Sequence, residues 1–342
     1  MTATLSYALF DQLENDASTS VSDSYQNHLS LAERADEAGF THWFKSEHHH
    51  VPLDIAPSIN VFLSAVIQRT NHIRVASLVH LLPFYDPMRL YEELCMLDHL
   101  SNGRLEIGFG KGISPAEQML WGVPNAEAAA QTDEILDYVL SAMRCVAEGG
   151  LGGLFSYDGK YYSATERPLE IGPYQEPHPP LWRPGTLSTA AQLGVSTILP
   201  GPMALVAKQA DAYRQEATGG GAGGHTPLLS TLRRVVVAPT DEEAIAIGER
   251  AWDRFDKNLT KLMHKYDLWP PSLVPSFLGD VQKAHATESL IAGSPSRVRD
   301  YFDRFLDESG IEHVTISPAW GDISGHEAMR TMELFVEHVA CR

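Results

Sequence analysis

Short segments rich in β-branched and aromatic residues alternate with longer segments of helical periodicity along the whole chain. The alternation predicts strands at residues 4–10, 41–45, 73–82, 104–109, 180–183, 195–199, 228–238 and 313–316. Between the strands, apolar residues recur at helical spacing, as in Ile59, Phe62, Leu63, Val66 and Ile67. Strands that alternate with helices pair in parallel, and about eight such units close into a (β/α)8 TIM barrel.

A doubly wound open sheet is the alternative architecture for the same alternation. The barrel is favoured because no GxGxxG sequence follows the first predicted strand. The 342 residues are 44% apolar, which is typical of a globular domain. We therefore expect one barrel domain over residues 1–342, with a lid insertion at about residues 265–292, where proline-rich sequence interrupts the alternation.

The charge balance and the cysteines indicate which kinds of binding partner and which cellular location to expect. The chain has 26 Lys and Arg against 44 Asp and Glu, a net charge of −18, which argues against nucleic-acid binding. No basic leader begins the chain, and no apolar run approaches the ~18 residues of a membrane helix. Cys95, Cys145 and Cys341 lack CxxC spacing. These observations predict a cytoplasmic protein that binds neither nucleic acid nor membrane.

The densest polar cluster is Glu47-His48-His49-His50, directly after the second predicted strand. In a barrel, residues just past the C-terminal end of a strand lie on the catalytic face. An imidazole is suited to acid–base catalysis there, because its reference pKa is near neutrality. Two alternatives stay open. His48 and His50 point to the same side of an extended chain and are possible metal ligands, or the cluster is a solvated turn.

Two glycine-containing turns are candidates for binding an anion. Lys111 lies within Gly108-Phe109-Gly110-Lys111-Gly112 after the fourth predicted strand, where its charge is suited to phosphate; an ordinary glycine turn is the alternative. Arg183-Pro184-Gly185-Thr186 follows the fifth strand and opens a helix, so Arg183, the Thr186 hydroxyl and backbone N–H groups are candidate donors. Barrels commonly hold a phosphate between two neighbouring loops.

Four segments resemble the bacterial-luciferase-like flavin-dependent monooxygenases. They are EHH after the second strand, IRVASLVHLLPFYDPMRLYEELCMLDHLSNGRLEIGFGKG at 73–112, GSPSRV at 293–298 and AMRTMELFVEHV at 328–339. The second segment is the most specific, because it holds a strand, a proline turn and LDxLSxGRxxxGxGxG in order. The resemblance implies a luciferase-like (β/α)8 barrel with insertions. It also implies a monooxygenase that uses O2 and reduced FMN, supplied by a separate flavin reductase, to oxygenate a small organic substrate.

The resemblance assigns catalytic candidates residue by residue. His48 matches the family histidine that handles protons beside the flavin ring, Glu47 precedes it as in the family motif, and His49 completes the EHH sequence. These three residues are therefore the predicted catalytic set, and no metal is included in it.

The phosphate of FMN is assigned in the same way. Lys111 lies where relatives place an arginine on this phosphate, so the charge is kept but the bidentate geometry is lost; Gly112, the next residue, is included among the cofactor-binding candidates. Gly185 and Thr186 match the loop whose backbone N–H groups bind the phosphate, although the loop is shorter here than in relatives. We expect Arg183 to compensate for both departures.

The flavin ring is expected beside the end of the third predicted strand. Leu78 and Val79 lie where family members can have a non-prolyl cis peptide under the flavin. His80 follows them and has two interpretations, a contact with the ring or substrate and a hydrogen-bonded core histidine.

The family resemblance also implies a homodimer and leaves other activities open. Relatives often pair through the helices after the second and third strands, here residues 56–70 and 87–100. The open alternatives are a deazaflavin-dependent hydride-transfer enzyme, a barrel with a non-catalytic role that binds flavin or none, and a metal-dependent hydrolase. The EHH sequence favours the monooxygenase over the deazaflavin enzyme.

Overall fold

The structure is a computed structural model that describes residues 5–14, 19–217, 219, 221–270 and 279–340. Its strands are β1 Ser6–Asp11, β2 His42–Lys45, β3 Arg74–Ser77, β4 His80–Leu81, β5 Leu105–Gly110, β6 Gly153–Asp158, β7 Ser163–Leu169, β8 Leu181–Trp182, β9 Thr197–Ile198, β10 Leu229–Val237, β11 Leu290–Gly293 and β12 His313–Ser317. Its α-helices are α1 Val21–Glu37, α2 Ile59–Arg69, α3 Pro87–Leu100, α4 Pro115–Leu120, α5 Ala128–Gly149, α6 Leu187–Leu193, α7 Met203–Glu216, α8 Asp241–Tyr266, α9 Val281–Ala286, α10 Pro295–Ser309 and α11 Gly325–Phe335.

Parallel strands close into a barrel in the order β1, β2, β3, β5, β8, β9, β10, β12 and back to β1. Between β8 and β9 the closure is a single bridge of Trp182 and Ser196. β11 is an additional strand that pairs with the C-terminal half of β10, starting at Arg234. The predicted (β/α)8 TIM barrel is confirmed.

Successive residues along each strand alternate between two separate cores, one outside and one inside the barrel, as expected of a barrel surrounded by helices. Leu9, Trp43 and Val75 face outward and pack beneath the helices. The inward-facing apolar residues form one buried cluster inside the barrel: Ala8, Phe10, Phe44, Ala76 and Trp182.

Helix boundaries follow local sequence signals. The Asp86 carboxylate accepts a hydrogen bond from the Arg89 N–H at 2.9 Å, and Pro87 occupies the first turn of α3, as the sequence predicted. Asn102 and Gly103, both with positive φ, then turn the chain into β5. In the part of the chain that the structure describes, no helix has both the length and the apolar character needed to cross a lipid bilayer.

Several elements differ from the sequence prediction. The predicted strand at 73–82 is divided into β3 and β4 by a cis peptide between Leu78 and Val79. Three features were not predicted: the six-residue helix α4, the mostly exposed antiparallel hairpin β6–β7, and β11. They are short or lack a continuous buried face, so they show little hydrophobic periodicity. Residues 271–278 of the expected lid insertion lie outside the described residues, and the lid stays a prediction.

Candidate active site

The predicted site residues lie in loops that follow three strands on one side of the barrel. β2 leads into the histidine cluster, β5 into Lys111, and β8 into Arg183. β3 lies between β2 and β5, and β5 pairs in parallel with β8. The three loops therefore emerge at the same C-terminal edge, where the active sites of this fold are built.

Glu47 is buried, and both oxygens of its carboxylate have partners in the protein. Its Oε1 lies 2.8 Å from Nε2 of His49, and its Oε2 accepts hydrogen bonds from the Leu81 N–H at 3.0 Å and the Tyr85 hydroxyl at 2.9 Å. Burial, together with the Glu47 carboxylate, holds the pKa of Tyr85 well above its usual value. Glu47 thus joins the loop after β2 to the end of β4 and orients His49.

His48 is the histidine of this cluster that faces a second carboxylate. Its side chain is 16% exposed, and its Nδ1 lies 3.5 Å from Oε2 of Glu117. Oε1 of Glu117 accepts a hydrogen bond from the backbone N–H of His49 at 2.6 Å. Burial by itself lowers the pKa of an imidazole, but Glu117 and, at longer range, Asp54 outweigh it, so the pKa of His48 is raised. The neighbouring carboxylates therefore favour the protonated form of the imidazole.

Glu117 was not identified from the sequence. It lies in α4, whose Ser114 N-cap side chain accepts a hydrogen bond from the Glu117 N–H at 3.2 Å. The pattern Ser114-Pro115-x-Glu117 is a helix-start signal directly after a strand, and it marks the position of this helix. Only the folded chain shows that the carboxylate contacts the histidine loop.

His49 and His50 do not converge with His48 on one point. The His49 ring packs edge-to-face with Trp121 and Phe84, with ring centroids 4.9 and 5.6 Å away, respectively. His50 is exposed and has a φ of 62°. Across the described residues, no group of three or more His, Cys, Asp or Glu side chains is arranged to hold a metal ion.

Donor groups suited to a phosphate lie on the loops after β5 and β8. The Lys111 side chain is exposed, and no carboxylate of the described residues is within ion-pairing distance of it. Thr186 is the N-cap residue of α6, but its exposed side chain makes no capping hydrogen bond. Gly185 and Gly112 have φ values of 104° and 80°, which favour glycine. Within the described residues, neither the Lys111 ammonium nor the Thr186 hydroxyl has a partner, and a positive charge and a hydroxyl on adjacent loops fit a phosphate group.

Arg183 has partners within the protein. Its guanidinium forms a 2.9 Å ion pair with Asp133 and lies over the ring of Phe109, 5.3 Å from the ring centroid. The expectation that Arg183 compensates for the shorter phosphate loop competes with this ion pair, and it stays a prediction.

The turn between β3 and β4 has the backbone that the family resemblance implied. The Leu78–Val79 peptide is cis, and Leu78 packs against the apolar cluster inside the barrel. A Cβ atom on Gly108 would lie 2.0 Å from the Ser77 carbonyl oxygen, and one on Gly110 would lie 3.0 Å from Val79. These two glycines therefore accommodate the neighbouring strand; their absent side chains do not by themselves indicate a ligand.

His80 fits the second of its two interpretations. It is fully buried, and its Nε2 lies 2.7 Å from Oδ1 of Asn60. Burial lowers its pKa, which disfavours the protonated ring. His80 is thus buried and hydrogen-bonded to Asn60, and its contact with a flavin or a substrate stays a prediction.

Comparison with known proteins is consistent with this arrangement. The family model described as luciferase-like monooxygenase matches residues 5–313. An uncharacterised protein, y4wF of Sinorhizobium fredii, is 34% identical over 324 residues, which are 93% of this chain and 92% of that protein.

Solved structures have the same fold. The crystal structure of monooxygenase RslO1 from Streptomyces bottropensis superimposes with a TM-score of 0.83 at 25% identity, covering 98% of this chain and 99% of that one. The oxygenating constituent of 3,6-diketocamphane monooxygenase from Pseudomonas putida, in complex with FMN, has a TM-score of 0.80 at 18% identity, with 98% of each chain covered. A coenzyme F420-dependent tetrahydromethanopterin reductase from Methanopyrus kandleri has a TM-score of 0.67 at 14% identity, with 99% of each chain covered.

The family match extends over most of the chain and includes the loops that carry His48, Lys111 and Thr186. The chain belongs to the luciferase-like monooxygenase family.

Proposed function

We propose that this protein is the oxygenase component of a two-component monooxygenase, which uses reduced FMN from a separate reductase and O2 to oxygenate a small organic substrate. The observation that carries the proposal is a pair of exposed candidate phosphate donors, Lys111 and Thr186, which have no partner among the described residues and lie at the same barrel edge as His48. The FMN-containing oxygenating constituent with the same fold supports the choice of cofactor.

The residues at this edge divide into an anchor, an apolar surface and a proton-handling group. Lys111, the Thr186 hydroxyl and the backbone N–H groups of the Gly185 turn would hold the phosphate of FMN. Leu78 and the apolar interior of the barrel would contact the flavin ring. When bound, reduced FMN supplies the electrons that activate O2, and the protein excludes water from that reaction.

His48 would hold or move a proton at its ring nitrogen. The adjacent Glu117 stabilises the protonated ring, so the same imidazole is able to donate a proton and later accept one. Glu47 and His49 hold the loop in place through the 2.8 Å contact between them and do not need to touch the reactants.

The test is a binding and reaction experiment with defined flavins. The protein is titrated anaerobically with reduced FMN and, in parallel, with reduced F420, and the FMN complex is then mixed with O2 in a stopped-flow spectrometer. The proposal expects FMN to bind more tightly and a transient absorbance to precede that of oxidised FMN. Preference for F420 without a reaction with O2 would favour the hydride-transfer alternative, and binding of neither would favour a non-catalytic barrel.

Two further parts of the proposal concern assembly and location. Val61 on α2 and Met96 and Leu100 on α3 are apolar and 46 to 71% exposed, which supports a homodimer through these helices. Sedimentation of a Val61→Glu, Met96→Glu double variant as a monomer, against a dimeric parent protein, is the expected result. The free thiols of Cys95 and Cys145 support a reducing, cytoplasmic location.

A further inference from the structure

We propose that Glu117 is a positioning residue for His48, whose carboxylate keeps Nδ1 of the imidazole directed toward α4 and leaves Nε2 as the nitrogen that faces the reactants. The inference rests on the proposed function, because it assigns His48 the proton transfer. It adds a residue outside the EHH sequence and a specific tautomer of the imidazole.

The first step of the argument is that the Glu117 carboxylate is itself fixed. The residue is 2% exposed and lies in the first turn of α4. Its Oε1 receives the His49 backbone N–H at 2.6 Å, a charge-assisted hydrogen bond to the residue next to His48. The carboxylate is thereby attached to the same loop that carries the imidazole, so the position of the carboxylate relative to the imidazole is held constant.

The second step is the identity of the facing atoms. Oε2 of Glu117 lies 3.5 Å from Nδ1 of His48. An ionised carboxylate only accepts hydrogen bonds, so a neutral imidazole that faces it favours the tautomer with the proton on Nδ1. Nε2 is then free to accept a proton, and it becomes the donor when the ring is protonated. A carboxylate that orients a histidine in this way is a recurring arrangement in acid–base catalysis.

The third step is that, among the described residues, the other charges that act on His48 have partners elsewhere. Lys45 and Asp54 of the β2 segment form a fully buried ion pair with each other. Glu14, after β1, accepts a hydrogen bond from the Asn258 side chain at 2.9 Å. All three act on His48 at longer range. Of the carboxylates in the described part of the chain, Glu117 is the one in direct contact with His48, and its removal should change the imidazole most.

The adjacent residue supplies an internal control. Gln118 donates from its side-chain Nε2 to the carbonyl oxygens of Lys111 at 2.9 Å and Gly112 at 3.4 Å. Glu117 therefore contacts the loop that carries His48, and Gln118, the next residue of the same short helix, contacts the loop that carries Lys111. Glu117→Gln should alter His48, whereas Gln118→Ala should alter FMN affinity and leave His48 unchanged.

The experiment is nitrogen NMR of the histidine rings in the flavin-free protein, with the His48 signals identified by their loss in His48→Gln. In the parent protein we expect the Nδ1–H tautomer above the pKa of His48. In Glu117→Gln we expect a downward shift of that pKa and loss of the tautomer preference, while Gln118→Ala and the exposed Glu92→Gln keep both. The pH profile for the reaction of the reduced FMN complex with O2 should shift in the same direction as the pKa.

An Nε2–H tautomer in the parent protein would overturn the inference without any variant, so it remains testable if Glu117→Gln does not fold. An unchanged His48 pKa and tautomer in a folded Glu117→Gln would overturn it as well. Because the NMR readout needs no flavin, a confirmed tautomer together with absent FMN binding would contradict the proposed function and leave the positioning role intact.

Discussion

Two histidine–glutamate pairs lie on the same two barrel units, one at the floor of the barrel and one at its mouth. At the floor, His42 of β2 is 3.2 Å from Glu106 of β5. At the mouth, His48 after β2 is 3.5 Å from Glu117 after β5. The chemical groups are the same, and their surroundings differ.

The floor pair is part of a closed network. Glu106 also accepts from the Arg74 guanidinium and the Trp182 indole N–H, and Nδ1 of His42 contacts the Thr41 hydroxyl at 2.9 Å. Burial by itself raises the pKa of a carboxyl, but His42, Arg74 and Trp182 lower the pKa of Glu106 to about 2. At the mouth, the His48 side chain is 16% exposed, and Nδ1 is the ring nitrogen that faces Glu117, so Nε2 is not used by this pair. A histidine–carboxylate pair thus indicates a reactive site only where one partner still has an unused, accessible atom.

The largest effect is expected from Glu106→Ala. It removes the buried carboxylate that the buried His42 and Trp182 and the partly exposed Arg74 all contact, and breaking a buried pair typically costs about 3–5 kcal/mol of unfolding free energy. Urea unfolding followed by circular dichroism measures this loss. Glu92→Ala on exposed α3 is the matched control and should change little. A loss in Glu106→Ala as small as in the control would contradict the structural role of the floor pair.

His48→Ala, in contrast to Glu106→Ala, should affect turnover rather than stability. Turnover should fall by about 10²–10⁴-fold, the usual contribution of a general acid–base group, while FMN affinity stays within a few-fold. The measurement uses a substrate found by screening small organic compounds with reduced FMN and O2. His50→Asn is the control, because asparagine tolerates the positive φ of this exposed position. Equal turnover in His48→Ala and the parent protein would remove His48 from the mechanism.

Lys111→Ala tests the anchor at the mouth. Loss of one charge-assisted contact should weaken FMN binding by about 5- to 100-fold, measured by flavin fluorescence titration. Lys111→Arg should retain the affinity, because the charge is kept. Lys208→Ala, exposed on α7, controls for net charge. An unchanged affinity in Lys111→Ala would mean that other groups hold the phosphate.

The last effect, which is small per pH unit, is a dependence of stability on pH that arises at the floor. The pKa of Glu106 is lowered to about 2 in the folded state, so its contribution is complete above the unfolded value near 4.5 and is lost as pH falls toward 2. Burial and then His42 lower the pKa of His313 to about 3; its contribution is complete above about 6.5 and is lost toward pH 3. Each group thus changes the unfolding free energy by at most about 1.4 kcal/mol per pH unit.

Unfolding titrations between pH 7 and 3 measure this slope. Glu106→Gln should flatten the part of the curve below about pH 4.5, because the amide does not titrate. A parent protein that gains stability in acid would contradict the proposed arrangement of the floor.

The barrel could be predicted from sequence because the signals that mark its strands and helices are local. Each strand has an inward and an outward face, each long helix has one apolar stripe, and caps such as Asp86-Pro87 and the Asn102-Gly103 turn mark the ends. The predicted ends of the strands then placed the loops of His48, Lys111 and Thr186 on one edge. Short elements without a continuous apolar face, such as α4 and the β6–β7 hairpin, lacked that signal.

Only the tertiary structure decided which polar side chains meet. Glu117 is 69 positions beyond His48 in the sequence, and their contact exists because α4 reaches the loop after β2 when the barrel closes. In the same way, packing gave Arg183 an ion pair with Asp133 and buried His80 against Asn60. Sequence determined the barrel and the edge where chemistry is expected, because periodicity and caps are local. The partners and accessibility of each titratable group depend on contacts between distant segments, and a single sequence does not specify them.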